Sequence, residues 1–184
     1  MDPLWADLVN SDWRDHRGSG AREDRLGNDA WLERFLARAG WCGGRLPGSE
    51  EREALRQLRT LLRRLVEVVR AGAALADEDL AALNRVLTAS PLVRRLEPGE
   101  GRLSVALVPV TAGVEQLLAT IAASFAATLV NGDPSRIKVC ANPDCGWVIY
   151  DESHNRTRRW CDAAECGNLI KVRRYRERRR TTDG

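Results

Sequence analysis

No stretch of this chain stays apolar for long enough to span a membrane. Even its most apolar window, residues 113–130, contains Glu115 and Gln116. A soluble protein is therefore expected. The opening Met1-Asp2-Pro3-Leu4-Trp5 has neither the basic segment nor the apolar run of a secretory leader. The expected compartment is the reducing cytoplasm, where stable disulfides are rare. No C-x-x-C redox pair, nucleophile–base pair, phosphate-cradling glycine loop or internal repeat is present. Histidine is nearly absent: His16 sits in a polar segment and His154 in a loop, not at ligand spacing from one another. An enzyme is not expected.

What the chain does have is four cysteines near its end, in two evenly spaced pairs. Cys140 and Cys145 are separated by four residues, as are Cys161 and Cys166, with fifteen residues between the pairs. Two such knuckles suit one tetrahedral zinc ion, with about 2.3 Å to each sulfur. Catalytic zinc keeps a position open and recruits His or carboxylate. Here thiolate can fill all four positions, so the expected cofactor is one structural Zn2+. Two disulfides are the competing reading, with three connectivities. Cys42, beside Trp41 and two glycines, reads as a small half-buried apolar residue.

Charge is distributed unevenly. Residues 156–180 hold ten Lys/Arg against three Asp/Glu, a local charge of +7 in a chain of +3, so the remainder is mildly acidic. Asp162 and Glu165 have the spacing of a capping box that opens a helix running through Tyr175 toward Arg180. Lys171, Arg173, Arg174, Arg176 and Arg178 project from it, and Arg158 and Arg159 precede it. Arginines meet phosphate bidentately, which makes a nucleic acid the natural partner, duplex DNA first. RNA is the alternative, its bases stacking on Trp147, Tyr150 or Trp160. A protein-interaction module with an acidic partner is another.

Upstream the pattern is mainly helical. Leu4, Trp5, Leu8 and Val9 have helical spacing, Asn28 caps a helix ending at Gly40, and Ser49 caps a long one ending at Gly72. A shorter helix starts near Asp77. Turn residues Glu97 to Gly101 with the alternating Leu103 to Leu107 predict a β-hairpin. Residues 113–129 then form a helix apolar nearly all round, a buried spine closed by Asn131-Gly132. The boundary at Gly132 gives a helical domain over 1–132 and a zinc domain over 133–184. In the latter, Trp147 to Tyr150 and Arg159-Trp160 are expected as strands, with Leu169, Ile170 and Val172 packing on Trp147 or Trp160. Cys166→Ser is then expected to unfold roughly the last 45 residues alone. Asp7, Asn10, Asp24 and Arg25 are candidates for lining a ligand pocket. The N-terminal apolar surface suits a homodimer, which would match two half-sites.

These residues resemble the CGNR zinc-finger proteins, whose N-terminal part is the ABATE domain. The resemblance rests on Cys140, Cys145, Arg158-Arg159-Trp160-Cys161, Cys166-Gly167-Asn168 and Lys171 to Tyr175, with Asp7 to Ser11 and Trp31-Leu32 upstream. Where the family name has an arginine after Cys-Gly-Asn, this chain has Leu169. The resemblance implies a stress-responsive bacterial transcription regulator, with a helical domain sensing a small-molecule effector and a treble-clef-like finger binding DNA.

Overall fold

The computed structural model describes residues 3–41, 43–99 and 101–182; Cys42, Glu100 of the turn cluster and the opening Met1-Asp2 lie outside them. Six helices and three separate two-stranded antiparallel hairpins make up the fold of the described residues. Helix α1 (Leu4–Val9) is short but central, with Trp5, Ala6, Leu8 and Val9 all buried. Trp5 meets Phe125 edge-on at 5.2 Å and donates its indole N–H to Thr128 Oγ1 at 2.9 Å. Strands β1 (Asp12–Arg14) and β2 (Arg22–Asp24) form a polar hairpin on the surface.

Helix α2 (Asp29–Arg38) starts where expected, the Asn28 side chain accepting the Trp31 N–H at 3.1 Å. Helix α3 (Ser49–Arg70) differs by one residue at its start. Its cap is Gly48, and Ser49 is already helical. Glu51 explains the shift: its carboxylate accepts the Gly48 N–H at 2.7 Å and is clamped by Arg45 at 2.6 Å. Leu55, Leu58, Leu62 and Leu65 bury one stripe of α3. On the flank, Asp24 accepts from Arg59 at 2.6 Å and Arg56 at 2.7 Å, tying β2 to α3. Burial alone would raise its pKa, but these arginines hold it below the usual carboxylate range.

Helix α4 (Asp77–Thr88) leads into β3 (Leu92–Pro98) and β4 (Leu103–Pro109), which pair over seven positions. Helix α5 (Val114–Val130) follows. Leu117, Ile121 and Phe125 are its buried side, as expected of a spine. Ala123 and Ala127, expected inside, are exposed instead, as is Val130 at the end of the helix. At its end Gly132 is required: a Cβ there would lie 2.6 Å from Thr128 O and 2.9 Å from Tyr150 Oη.

Strands β5 (Ile137–Val139) and β6 (Val148–Tyr150) pair antiparallel. Arg159-Trp160 form no strand; only the Ala141 N–H reaches Arg159 O, at 2.8 Å. The ladder partner of β6 thus precedes the first cysteine rather than following the loop. Ile137 and Val148 belong to the same core as Trp5, Leu62 and Phe125, so the apolar interior continues across Gly132. The final helix α6 (Asn168–Thr182) follows a wide turn over Ala163–Gly167. No helix among the described residues is long and apolar enough to cross a membrane.

Candidate metal centre and basic helix

The first cysteine pair brackets the β5–β6 turn. Cys140 follows β5 directly, its N–H bonded to Trp147 O at 2.8 Å, and the Cys145 N–H closes the knuckle onto Asn142 O at 3.0 Å. The second pair brackets the helix start. Asp162 caps it as predicted, its Oδ1 accepting from Ala164 N at 2.6 Å and Glu165 N at 3.0 Å. The turn opened there is wider than an α-turn, with the Gly167 N–H reaching back to Asp162 O at 3.0 Å. That places Cys166 inward, fully buried.

All four sulfurs lie within 4.8 Å of one another, with Cys145–Cys161 at 3.6 Å and Cys161–Cys166 at 3.5 Å. A tetrahedron with 2.3 Å metal–sulfur bonds has edges of about 3.8 Å, so the set fits one zinc ion. No disulfide joins any two of the four. Their crowding separates their titrations. Hydrogen bonds from Cys145 and Cys161 push Cys140 down to about 2, while Cys145 is pushed up to about 12, first by its hydrogen bond to Cys140. Cys161 is raised as well by its bonds to Cys140 and Cys145. A divalent cation at the centre would offset the repulsion among four thiolates at this spacing. The finger is the site of one structural zinc, and His154 lies apart from it, exposed in its loop.

Trp147 and Trp160 pack against the sulfur cluster itself. Of the residues expected on these rings, Leu169 and Ile170 are half-buried and Val172 is exposed. Gly167 lets the chain pass close to this ring: a Cβ would lie 3.0 Å from Trp160 Cδ1, and the indole would have to give by a few tenths of an ångström. Leu169, at the arginine position of the family name, is half-buried.

Two polar residues that hold the module were not anticipated from the sequence. Buried Asn142 donates its Nδ2 to His16 O at 2.8 Å and to Cys166 Sγ at 3.4 Å, linking a sulfur to the β1–β2 loop. Its signal was the Asn-Pro turn inside the first knuckle. Buried Asp151 accepts from Lys138 Nζ at 2.6 Å, Ser153 Oγ at 2.5 Å and the Arg158 N–H at 3.0 Å. Burial acts to raise its pKa, but these donors outweigh it and hold the carboxyl well below the ordinary range. The loop from 151 to 158 is thereby ordered.

The predicted contact residues separate into two groups. Arg158 donates to Cys161 O at 2.7 Å and Trp160 O at 3.2 Å. Arg173 donates to Asp144 Oδ2 and to Arg17 O, both at 2.6 Å, pinning α6 to the first knuckle and the β1–β2 loop. Arg159, Lys171, Arg174, Arg176 and Arg178 are exposed. Lys171, Arg174 and Arg178 recur at helical spacing on one side of α6, with Arg179 lying over the Tyr175 ring at 5.5 Å.

The four pocket candidates are also distributed differently, Asp24 being bonded to Arg56 and Arg59 of α3. Asp7 pairs with Arg38. Asn10 is buried, donating Nδ2 to Val148 O and accepting the Val148 N–H, each at 2.8 Å. Asp7 lines one cleft together with Arg38, while Arg25 borders two. Its guanidinium lies 5.6 Å from the rings of both Trp13 and Trp147. On one side is a cleft of about 290 Å³ reaching His16 and Cys145; on the other, one of about 360 Å³ is lined by Trp31, Arg34 and Phe35.

A comparison with curated proteins finds no match. Residues 136–179 match the CGNR zinc finger, whose span takes in all four cysteines and most of α6. Residues 2–132, well over half of the chain, match the family described as "ABATE: Putative stress-induced transcription regulator". This is a zinc-finger protein of the ABATE family.

Proposed function

We propose that the protein is a DNA-binding transcription regulator rather than a catalyst, contacting duplex DNA through the exposed cations of α6. The observation that carries this reading is a metal-fixed helix with Lys171, Arg174 and Arg178 along one side and Arg176, Arg179 and Arg180 beside them. Arg158 and Arg173 are left out of the interface because they hold the finger together. Phosphate contacts of this kind give affinity and orientation, not sequence reading. RNA is the weaker partner, since Trp147, Tyr150 and Trp160 are half-buried and offer no open stacking platform. A cytoplasmic setting and a role in stress response belong to the same proposal, the four-thiolate site requiring reducing surroundings.

Binding of the zinc-loaded chain to duplex DNA should weaken with salt, with a log–log slope near −4 for about four neutralised phosphates. Replacing Arg174, Arg176 and Arg179 by alanine should flatten that slope by about one for each phosphate no longer neutralised. A slope unchanged in the triple variant would move the interface off α6, and no binding at low salt would end the proposal.

The ligand-sensing part centres on Arg25. The cleft beside it joins an aromatic floor, Trp31 stacked on Phe35 at 5.1 Å, to the guanidinium of Arg34. That chemistry suits a small organic carboxylate. With benzoate as probe, followed by tryptophan fluorescence, Arg25→Ala should weaken binding by about 10-fold or more, the worth of one charge-assisted hydrogen bond. Equal affinity in wild type and variant would exclude this cleft.

A further inference from the structure

We infer that the β3–β4 hairpin is a dimerisation ridge whose partner is a second copy of this chain. Register places Leu92, Arg94, Leu96 and Pro98 on one face of the ribbon, opposite Pro109, Leu107, Val105 and Leu103. That face is apolar except for Arg94. It is also bare: Leu92, Leu96, Leu103, Val105 and Leu107 are each between 57% and 66% exposed. None of them belongs to either apolar core. The opposite face is mixed: Arg95, Glu97 and Ser104 lie toward the tip, with Ala106 opposite Arg95 and the Val93–Val108 pair at the base. An isolated two-stranded ribbon is marginal in water, so this one needs a cover on its apolar side.

The cover is supplied by the shape of the same surface. At the base of the hairpin, Leu92 and Leu107 border a cleft of about 450 Å³ whose far wall is Leu87, Ala119 and Ala123. Helix α5 is apolar nearly all round, yet leaves this stripe open. Ridge tip and cleft thus lie on one continuous face, about four strand residues apart. A two-fold axis places the tip of each copy (Leu96, Leu103, Val105) in the cleft of the other, the self-complementary arrangement that closed dimers use.

The area is sufficient. A Leu or Val side chain holds roughly 100 Å² of apolar surface, so the ridge offers on the order of 400 Å². It covers a similar area of cleft, and with Leu92 and Leu107 counted once the two surfaces give about 600 Å² per protomer, the low end for a specific interface. Such a dimer would also set two α6 helices in fixed relation.

Sedimentation of the zinc-loaded full chain between about 1 and 100 µM decides the matter. The wild type is expected at twice the chain mass. Leu96→Glu combined with Val105→Glu should raise the dimer dissociation constant at least 100-fold, with zinc content and helicity unchanged. Arg95→Glu, on the opposite face, should leave the dimer intact. If the double variant fails to fold, Leu103→Arg at the tip applies the same criterion. A wild type that is monomeric at 100 µM, or ridge variants that remain dimeric, would overturn the inference.

Discussion

Replacing Cys166 by serine should abolish stoichiometric zinc binding, melt α6 and lower the melting temperature of the remaining chain by on the order of 10 °C. The local part of this result follows from the helix itself. Along α6, Leu169 and Ile170 are half-buried while Val172 and Tyr175 are exposed. Little apolar burial holds it, and fifteen residues are marginal as an isolated helix. Its position rests on Cys166 in the cluster and on Arg173 bonded to Asp144 and Arg17. The wider part follows from the common core. The knuckle between Cys140 and Cys145 closes the turn of β5–β6, whose Ile137 and Val148 pack with Trp5 and Phe125. Arg63 of α3, half-buried, donates to Gly146 O and Val9 O, both at 3.0 Å, so a loosened knuckle strands its guanidinium. A loss of a few kcal/mol at about 2–4 °C per kcal/mol gives the stated shift. Circular dichroism melts paired with elemental zinc analysis would measure it. A variant that loses zinc and α6 while melting at the wild-type temperature would show that finger and body are independent, as the sequence alone led us to expect.

Much of this architecture was legible in the chain because it is written in local chemistry. Asn28 and Asp162 are caps whose side chains find their N–H partners within three residues. The leucine stripe of α3 and the alternation in β4 follow from helix and strand periods. The metal site was legible for a related reason: thiolates at fixed spacing have few other uses in a reducing compartment. What was not legible depends on partners distant in sequence. Asn10 finds its partner 138 residues away and Asn142 one 126 residues away, and no local pattern distinguishes them from exposed polar residues. Arg158 and Arg173 have the composition of a basic surface, yet packing turned their guanidinium groups onto backbone carbonyls. The β5–β6 pairing was missed because β5 has only three residues, too few to show a period.

These long-range bonds change how the molecule is understood. Four of them, from Asn10, Arg63, Asn142 and Arg173, cross from helical body to finger, and the Arg25 guanidinium lies over Trp147. A ligand held at Arg25 would therefore touch the ring that packs on the sulfur cluster. Any change there is passed on through packed groups rather than a flexible linker. The orientation of α6 relative to the body is fixed by the same bonds, which gives a bound effector a direct route to the DNA-contacting face in the proposal above.

Asn10→Ala should be among the most damaging single substitutions outside the metal site, lowering stability by about 2–5 kcal/mol and the melting temperature by about 5–15 °C. The Asn10 side chain caps no helix and touches no open cleft. Only 2% exposed, it completes the hydrogen bonding of Val148 from both sides, at 2.8 Å each. Val148 is itself fully buried. Truncation leaves one N–H and one C=O without partners in a dry interior, and each unpaired group costs about 1–3 kcal/mol. Asn10→Asp should give no rescue, since it keeps the acceptor but turns a second oxygen toward Val148 O. Because Val148 lies three residues beyond Cys145, either variant should also release zinc to a chelator faster than wild type. Thermal melts with zinc in excess separate this role from the one the sequence suggested. A ligand-binding Asn10 could be truncated with a change of less than about 2 °C, losing effector affinity alone. That result would remove the side chain from the bond network joining α1 to β6.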